Sequence, residues 1–184
     1  MIITSGTLRF KRIKSINCRH LRPTSSKIRQ AVFNTLLHKL EFEKWKKNNY
    51  ILDVFAGTGI VSFEALSRGM LHSTLIEKNF HIYNVLLDNI KNLKIFSRTH
   101  AINEDLFNLK SLPYKYKLVF LDPPYNKNML NSSLELIHDI GALKKNSILI
   151  CETEKNFKFK KEFIRYLKHE KYYGLIKLSY LIFN

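Results

Sequence analysis

The chain is short of acids, short of cysteines and without a long apolar run, and each shortage closes off a class of protein. Asp and Glu total 15 against 31 Lys and Arg, which leaves a formal charge of +16 and a pI of about 9.8. Such an excess is the electrostatic footprint of a polyanionic partner, most simply nucleic acid. A coding bias toward lysine, in a chain also heavy in Asn, Ile and Phe, would produce part of the same excess. Two cysteines, Cys18 and Cys151, make no disulfide framework, and neither belongs to a Cys-x-x-Cys pair. The seven histidines show no ligand spacing, so no metal is expected. No apolar stretch approaches the roughly 18 residues of a membrane span, and the N-terminus carries no apolar targeting segment. These absences lead to the expectation of a cytoplasmic, soluble protein with no membrane contact.

Internal repeats and low-complexity blocks are lacking too. With 184 residues, 45% of them hydrophobic, the chain is expected to form a single domain over 1–184 with a real core. Residues 1–46 read as an N-terminal basic extension and helix, and 47–184 as the ligand-binding core.

What is present centres on Tyr50-Ile51-Leu52-Asp53-Val54-Phe55-Ala56-Gly57-Thr58-Gly59-Ile60. An apolar run ending in an acid, then two glycines one residue apart, then a helical pattern, is the grammar of a buried parallel strand turning into a helix over a ligand. Gly57 and Gly59 remove side chains where backbone must come close to a ligand, and the helix they open offers N–H groups to an anion. Taken alone, the same pattern also serves a tight turn. A second strand end, Leu118-Val119-Phe120-Leu121-Asp122-Pro123-Pro124-Tyr125, weighs toward a ligand. Prolines cannot continue a central strand, so an acid, a proline carbonyl and an aromatic ring are expected together at the carboxyl edge of the sheet. Glu77 ends the intervening strand about 20 residues past the glycine turn, the spacing at which a Rossmann-type site sets an acid on ribose hydroxyls.

The rest reads as follows. Residues 1–20 alternate apolar and basic side chains, which suits a short basic hairpin or arm, touching RNA phosphate or only guarding an edge. Arg22-Pro23-Thr24-Ser25 is a helix entry, after which Ile28, Val32, Leu36 and Leu40 form an apolar stripe with Lys27 and Arg29 off it. Residues 43–49 read as a polar connection with Trp45 as a packing anchor. Strands are expected at 73–77, 99–103 and 147–151, and helices after Gly59, over 82–93 and from about 129 to 140. The aromatic and aliphatic tail split by Gly174 predicts an antiparallel hairpin where a strictly parallel fold would place another helix.

Asp53 to Gly59 with Glu64-Ala65-Leu66-Ser67-Arg68-Gly69 resembles the cofactor motif of S-adenosylmethionine (AdoMet) methyltransferases. Asp122-Pro123-Pro124-Tyr125 resembles the tetrad of those that methylate an exocyclic amine. The stretch Leu21-Arg22-Pro23-Thr24-Ser25-Ser26-Lys27-Ile28-Arg29-Gln30-Ala31-Val32-Phe33-Asn34 narrows the resemblance to the bacterial RsmD type, which methylates N2 of a guanine in 16S ribosomal RNA. Ser26 and Gln30 stand where that family usually has acids, and Phe10 where a glycine is common. The resemblance implies a Rossmann-like class I fold: a mostly parallel seven-stranded α/β sheet, helices on both faces and a C-terminal antiparallel hairpin. It implies AdoMet held by Asp53, Phe55, Gly57, Gly59, Glu77, Asp105 and Leu106, and catalysis by Asp122, Pro123 and Tyr125. RNA contacts are expected from Arg9, Lys11, Arg12, Arg22, Thr24, Lys27 and Asn34, with Phe33 a weaker neighbour of the site. The expected partner is ribosomal RNA in the small subunit or an assembly intermediate, met by a monomer. A DNA adenine-N6 methyltransferase uses a similar tetrad but needs a target-recognition domain for which the chain has little room. A non-catalytic RNA-binding protein would not need the complete set at Gly57, Glu77 and Asp122.

Overall fold

The computed structural model describes residues 1–16, 25–124 and 129–184. Seven strands form one sheet: β1 (Tyr50–Asp53), β2 (His72–Ile76), β3 (Thr99–Ile102), β4 (Tyr116–Leu121), β5 (Leu143–Glu154), β6 (Leu167–Tyr173) and β7 (Ile176–Phe183). Their order is β3-β2-β1-β4-β5-β7-β6. The first five lie parallel to one another, while β7 runs antiparallel to both β5 and β6. The tail is thus the expected hairpin, turned at Gly174. It inserts its second strand against β5, so the longer and more apolar β7 is covered and the more polar β6 takes the edge.

Alternation along the strands explains why the sheet needs helices on both faces. Ile51, Leu118, Phe120, Ile148 and Ile150 belong to one core cluster, with α1 (Ser26–Lys39), α3 (Ile60–Ser67) and α4 (Phe80–Leu93). Their chain neighbours Leu52, Val119, Leu121, Leu149 and Cys151 belong to the other, with α5 (Met129–Asp139) and Phe163 of the short α6 (Lys161–Ile164). Side chains that alternate between two buried faces give central strands their nearly continuous apolar sequence. Among the described residues no helix is long and apolar enough to cross a membrane.

Several expectations are corrected. Residues 43–49 are not a loose connection: α2 (Phe42–Trp45) and a 3-10 turn (Lys46–Asn48) occupy most of them. Trp45 does anchor them, edge-on to Phe42 and donating its indole N–H to the Leu40 carbonyl at 2.7 Å. Strand β5 begins at Leu143, well before Ser147. The basic arm closes on itself through an isolated antiparallel bridge, Ile2 to Arg12, and adds no strand to the sheet. Its Ile3 and Ile13 lie in the core, so its apolar residues dock it while its basic ones stay outside.

That docking changes α3. All eight of its residues are buried, not only the one face that an amphipathic helix turns inward. The sheet covers one side, and the arm and α1 cover the other through Glu64. This fully buried carboxylate accepts from the Thr4 N–H and hydroxyl, both at 2.9 Å, from Arg29 Nε at 3.4 Å, and from Arg68. Arg29 also donates to the Ile2 carbonyl, and the Arg68 guanidinium lies 4.2 Å over the Phe33 ring. Burial pushes the Arg29 guanidinium below its usual range, and Glu64 only partly opposes that. A buried charge is tolerable only when paired and hydrogen-bonded, which this cluster supplies. Arg29, off the apolar stripe in sequence, is therefore a packing group, and Phe33, expected as a weaker neighbour of the site, is buried under the Arg68 guanidinium.

Candidate active site

The sheet order reverses between β1 and β4, whose neighbours lead away in opposite directions; open α/β sheets bind ligands at the carboxyl ends of such strands. Both strand-end motifs are there. Ile51, Leu52 and Asp53 pair with Leu118, Val119 and Phe120, so Asp53 and Asp122 leave the same edge almost level. Beyond β1 the chain is pinned to both neighbours, Val54 N–H to the Phe120 carbonyl and Ala56 N–H to the Ile76 carbonyl. Gly57 at φ 55 and Gly59 at φ 89 then take left-handed turns. L side chains rarely adopt these angles, and a Cβ on Gly59 would overlap Phe63 and Leu86.

Glu77 reaches this turn from the end of β2. One carboxylate oxygen accepts from Gly57 N–H at 3.0 Å and the other from Asn79 N–H at 2.7 Å. Burial raises its pKa, and these two backbone donors oppose the rise. Asp53 is deeper. Its carboxylate is 2% exposed and accepts from Ser62 at 2.9 Å, while Ser62 accepts from Ser73. Desolvation, partly offset by Ser62, pushes Asp53 from 3.8 up to about 7. Asp53 thus braces the turn from beneath, and Glu77 braces it from the side.

Asp105 follows β3 and caps a 3-10 turn, accepting from Phe107 N–H at 3.1 Å. Lys78 approaches it at 3.5 Å, which ties the loops after β2 and β3 together. Leu106 is buried against the second core cluster and offers an apolar floor; Phe55 is half-buried against the same cluster. Asp122 is partly buried, Pro123 buried and Pro124 exposed. Tyr125, Arg22 and Thr24 lie outside the described residues, as does Cys18. Lys27 and Asn34 are exposed on α1, and Arg9, Lys11 and Arg12 on the arm.

Sequence reading missed Asn89. This residue of α4 is 1% exposed; its side-chain oxygen accepts from Lys14 N–H, and its amide donates to the Lys14 and Thr58 carbonyls. It therefore fastens the arm to the loop that holds Gly57 and Gly59. The signal was available, since Asn89 falls three residues after Leu86 and four before Leu93 on an apolar stripe. Glu64, Ser67 and Arg68, quoted with the cofactor motif, lie toward the far end of α3 and hold the arm instead.

The arrangement has the attributes of a site for a nucleoside-bearing cation beside an acceptor pair. Bare backbone lies at the turn, carboxylates follow three strands, and an acid with a proline carbonyl ends the fourth. Thr58 Oγ1, between the two glycines, is buried without a partner among the described residues.

Known proteins share both sequence and fold. A family described as conserved hypothetical protein 95 matches residues 1–182. The chain is 36% identical to ribosomal RNA small subunit methyltransferase D of Buchnera aphidicola subsp. Acyrthosiphon pisum, covering 83% of this chain and 78% of that one. It is 31% identical to the protein of the same name from Haemophilus influenzae, covering 84% and 79%. The solved Escherichia coli protein yhhF, a proposed methyltransferase, superposes with a TM-score of 0.84 at 26% identity, over 100% of this chain and 98% of that one. The seven-stranded sheet with its antiparallel end is the Rossmann-like class I methyltransferase fold. Matched along almost its whole length, the chain belongs to the ribosomal RNA small subunit methyltransferase D (RsmD) family.

Proposed function

We propose that the protein transfers a methyl group from AdoMet to the exocyclic N2 amine of a guanine in 16S ribosomal RNA. The observation that carries this reading is the convergence of the glycine turn, Glu77 and Asp122-Pro123 on one edge of the sheet, at its switch point, in a member of this family.

The residues present fit the cofactor. Gly57 and Gly59 leave backbone open to close approach, Glu77 meets ribose hydroxyls, Asp105 accepts from the adenine amine, and Leu106 and Phe55 supply apolar walls. Asp53 acts through the turn it braces. AdoMet supplies an activated methyl on its sulfonium sulfur, so no covalent enzyme intermediate is needed. What remains for the protein is mainly alignment. The N2 amine is a poor nucleophile because its lone pair is delocalised into the ring. Asp122 carboxylate and the Pro123 carbonyl accept its two N–H hydrogens, which orients the amine, and Tyr125 stacks on the base. Arg9, Lys11, Arg12, Arg22, Thr24, Lys27 and Asn34 hold the RNA, so residues 1–46 serve the substrate and 47–184 the cofactor and chemistry. The protein works as a monomer, in the cytoplasm, on the small subunit or an assembly intermediate.

Transfer of a labelled methyl group to small ribosomal subunits, naked rRNA and duplex DNA tests this. Label in either RNA substrate and none in the duplex is the expected result; label in the duplex alone, or in nothing, contradicts it.

A further inference from the structure

The turn of the arm holds a side chain that the core does not require. Phe10 lies at φ 67, in the left-handed region that disfavours any residue with a Cβ. The residue is 71% exposed, so burial does not offset the strain. Nor is the backbone free to relax. Phe10 N–H donates to the Ile3 carbonyl at 2.9 Å and Ile3 N–H to the Lys11 carbonyl at 3.0 Å, while Ile3 is fully buried. The Arg9 guanidinium lies 4.4 Å from the ring centroid. Lys11 and Arg12 follow, both exposed, and residues 1–16 contain no acid.

A rigidly mounted aromatic face among cations suits one ligand chemistry: a base that stacks while its flanking phosphates are neutralised. We propose that Phe10 is a stacking platform for an unpaired RNA base, with Arg9, Lys11 and Arg12 on the adjoining phosphates. This rests on the rRNA methylation reading and extends it to a second nucleotide. The arm is fastened at Ser67, at the far end of α3 from the glycine turn, and eight helical residues span about 12 Å. The base on Phe10 is therefore a different nucleotide from the target. A second copy of this chain is a poor occupant, because each copy carries +16.

The test compares Phe10→Gly and Phe10→Trp with the parent, measuring affinity for a 16S rRNA transcript, KM for small-subunit methylation, AdoMet affinity and melting temperature. Glycine accepts the left-handed angle, so Phe10→Gly should melt no lower than the parent. It should bind the transcript about 5- to 150-fold more weakly, the loss of one stacked base, with unchanged AdoMet affinity. Phe10→Trp should stay near the parent. Parental RNA affinity and KM in Phe10→Gly would overturn the inference while leaving the methylation reading intact. A dimer that Phe10→Gly abolishes, with RNA affinity unaltered, would overturn it in favour of self-association. Failure of the parent itself to methylate rRNA would remove the reading and this inference together.

Discussion

Asp53 is buried before any ligand arrives, and its proton reports that burial. A carboxyl raised from 3.8 to about 7 binds its proton more tightly in the folded chain than in the unfolded one. Its contribution to stability is therefore greatest below the unfolded value and declines as pH climbs through the folded one, by at most about 4 kcal/mol. Asp53→Asn keeps an acceptor for Ser62 but cannot ionise. Denaturant titrations should show the parent losing stability relative to this variant between about pH 4 and 7; a pH-independent difference would mean that Asp53 is solvated. Gly57→Ala, at φ 55, should lose AdoMet affinity about tenfold or more by calorimetry with only a modest change in melting. Unchanged affinity would remove the turn from the site. The strand-end positions of Asp53, Glu77 and Asp122 were legible because each closes an apolar run. Arg29 was not, because the partner that makes its burial possible, Glu64, lies 35 residues further along the chain.

Helix α1 illustrates how local signals succeed and where they stop. The hydroxyl expected to cap it is Ser25, which accepts from Ile28 N–H at 3.2 Å, and the stripe of Ile28, Val32 and Leu36 faces the core as its spacing required. Ser25→Ala should cost about 0.5–2 kcal/mol in denaturant unfolding; no cost would mean that packing alone sets the helix start. Nothing local could show that α3 would be buried all round, because its second cover comes from the arm some 60 residues earlier. Asn89 joins that arm to the glycine loop. Asn89→Leu fills the space but leaves the part-buried Lys14 N–H and carbonyl without this partner and strands the buried Thr58 carbonyl, at about 1–3 kcal/mol for a buried group left unpaired. If Asn89 also sets the loop, AdoMet affinity should fall in the same variant. A stability loss with unchanged affinity would confine it to holding the arm.

Taken whole, the molecule puts a basic N-terminal region and the proposed cofactor edge on one chain, and its charge would give the proposed RNA association a signature. Each phosphate contact releases counterions, so rRNA affinity should fall steeply with salt, and removing Arg9, Lys11 or Arg12 should lower the log–log slope by about 1 each. An affinity nearly flat between low and moderate salt would make the excess of +16 compositional. That the sheet would be mostly parallel and seven-stranded was legible through the resemblance, but its strand order was not read, since periodicity yields strands and helices but not which strands are neighbours. The docking of the arm on α3 was not legible at all, because alternating isoleucines look the same on a solvated edge as under a fold. The central claim is that the Asp122-Pro123 edge orients a guanine amine for methylation. Its most direct measurement is single-turnover methylation of small-subunit rRNA by the parent and by Asp122→Ala, with nucleoside mass spectrometry of the digested product and AdoMet titrations of both proteins. The account predicts N2-methylguanosine from the parent, a rate about 10²-fold or more lower in Asp122→Ala, and equal AdoMet affinity. A methyl group on any other nucleoside, or transfer by Asp122→Ala at the parental rate, would contradict it.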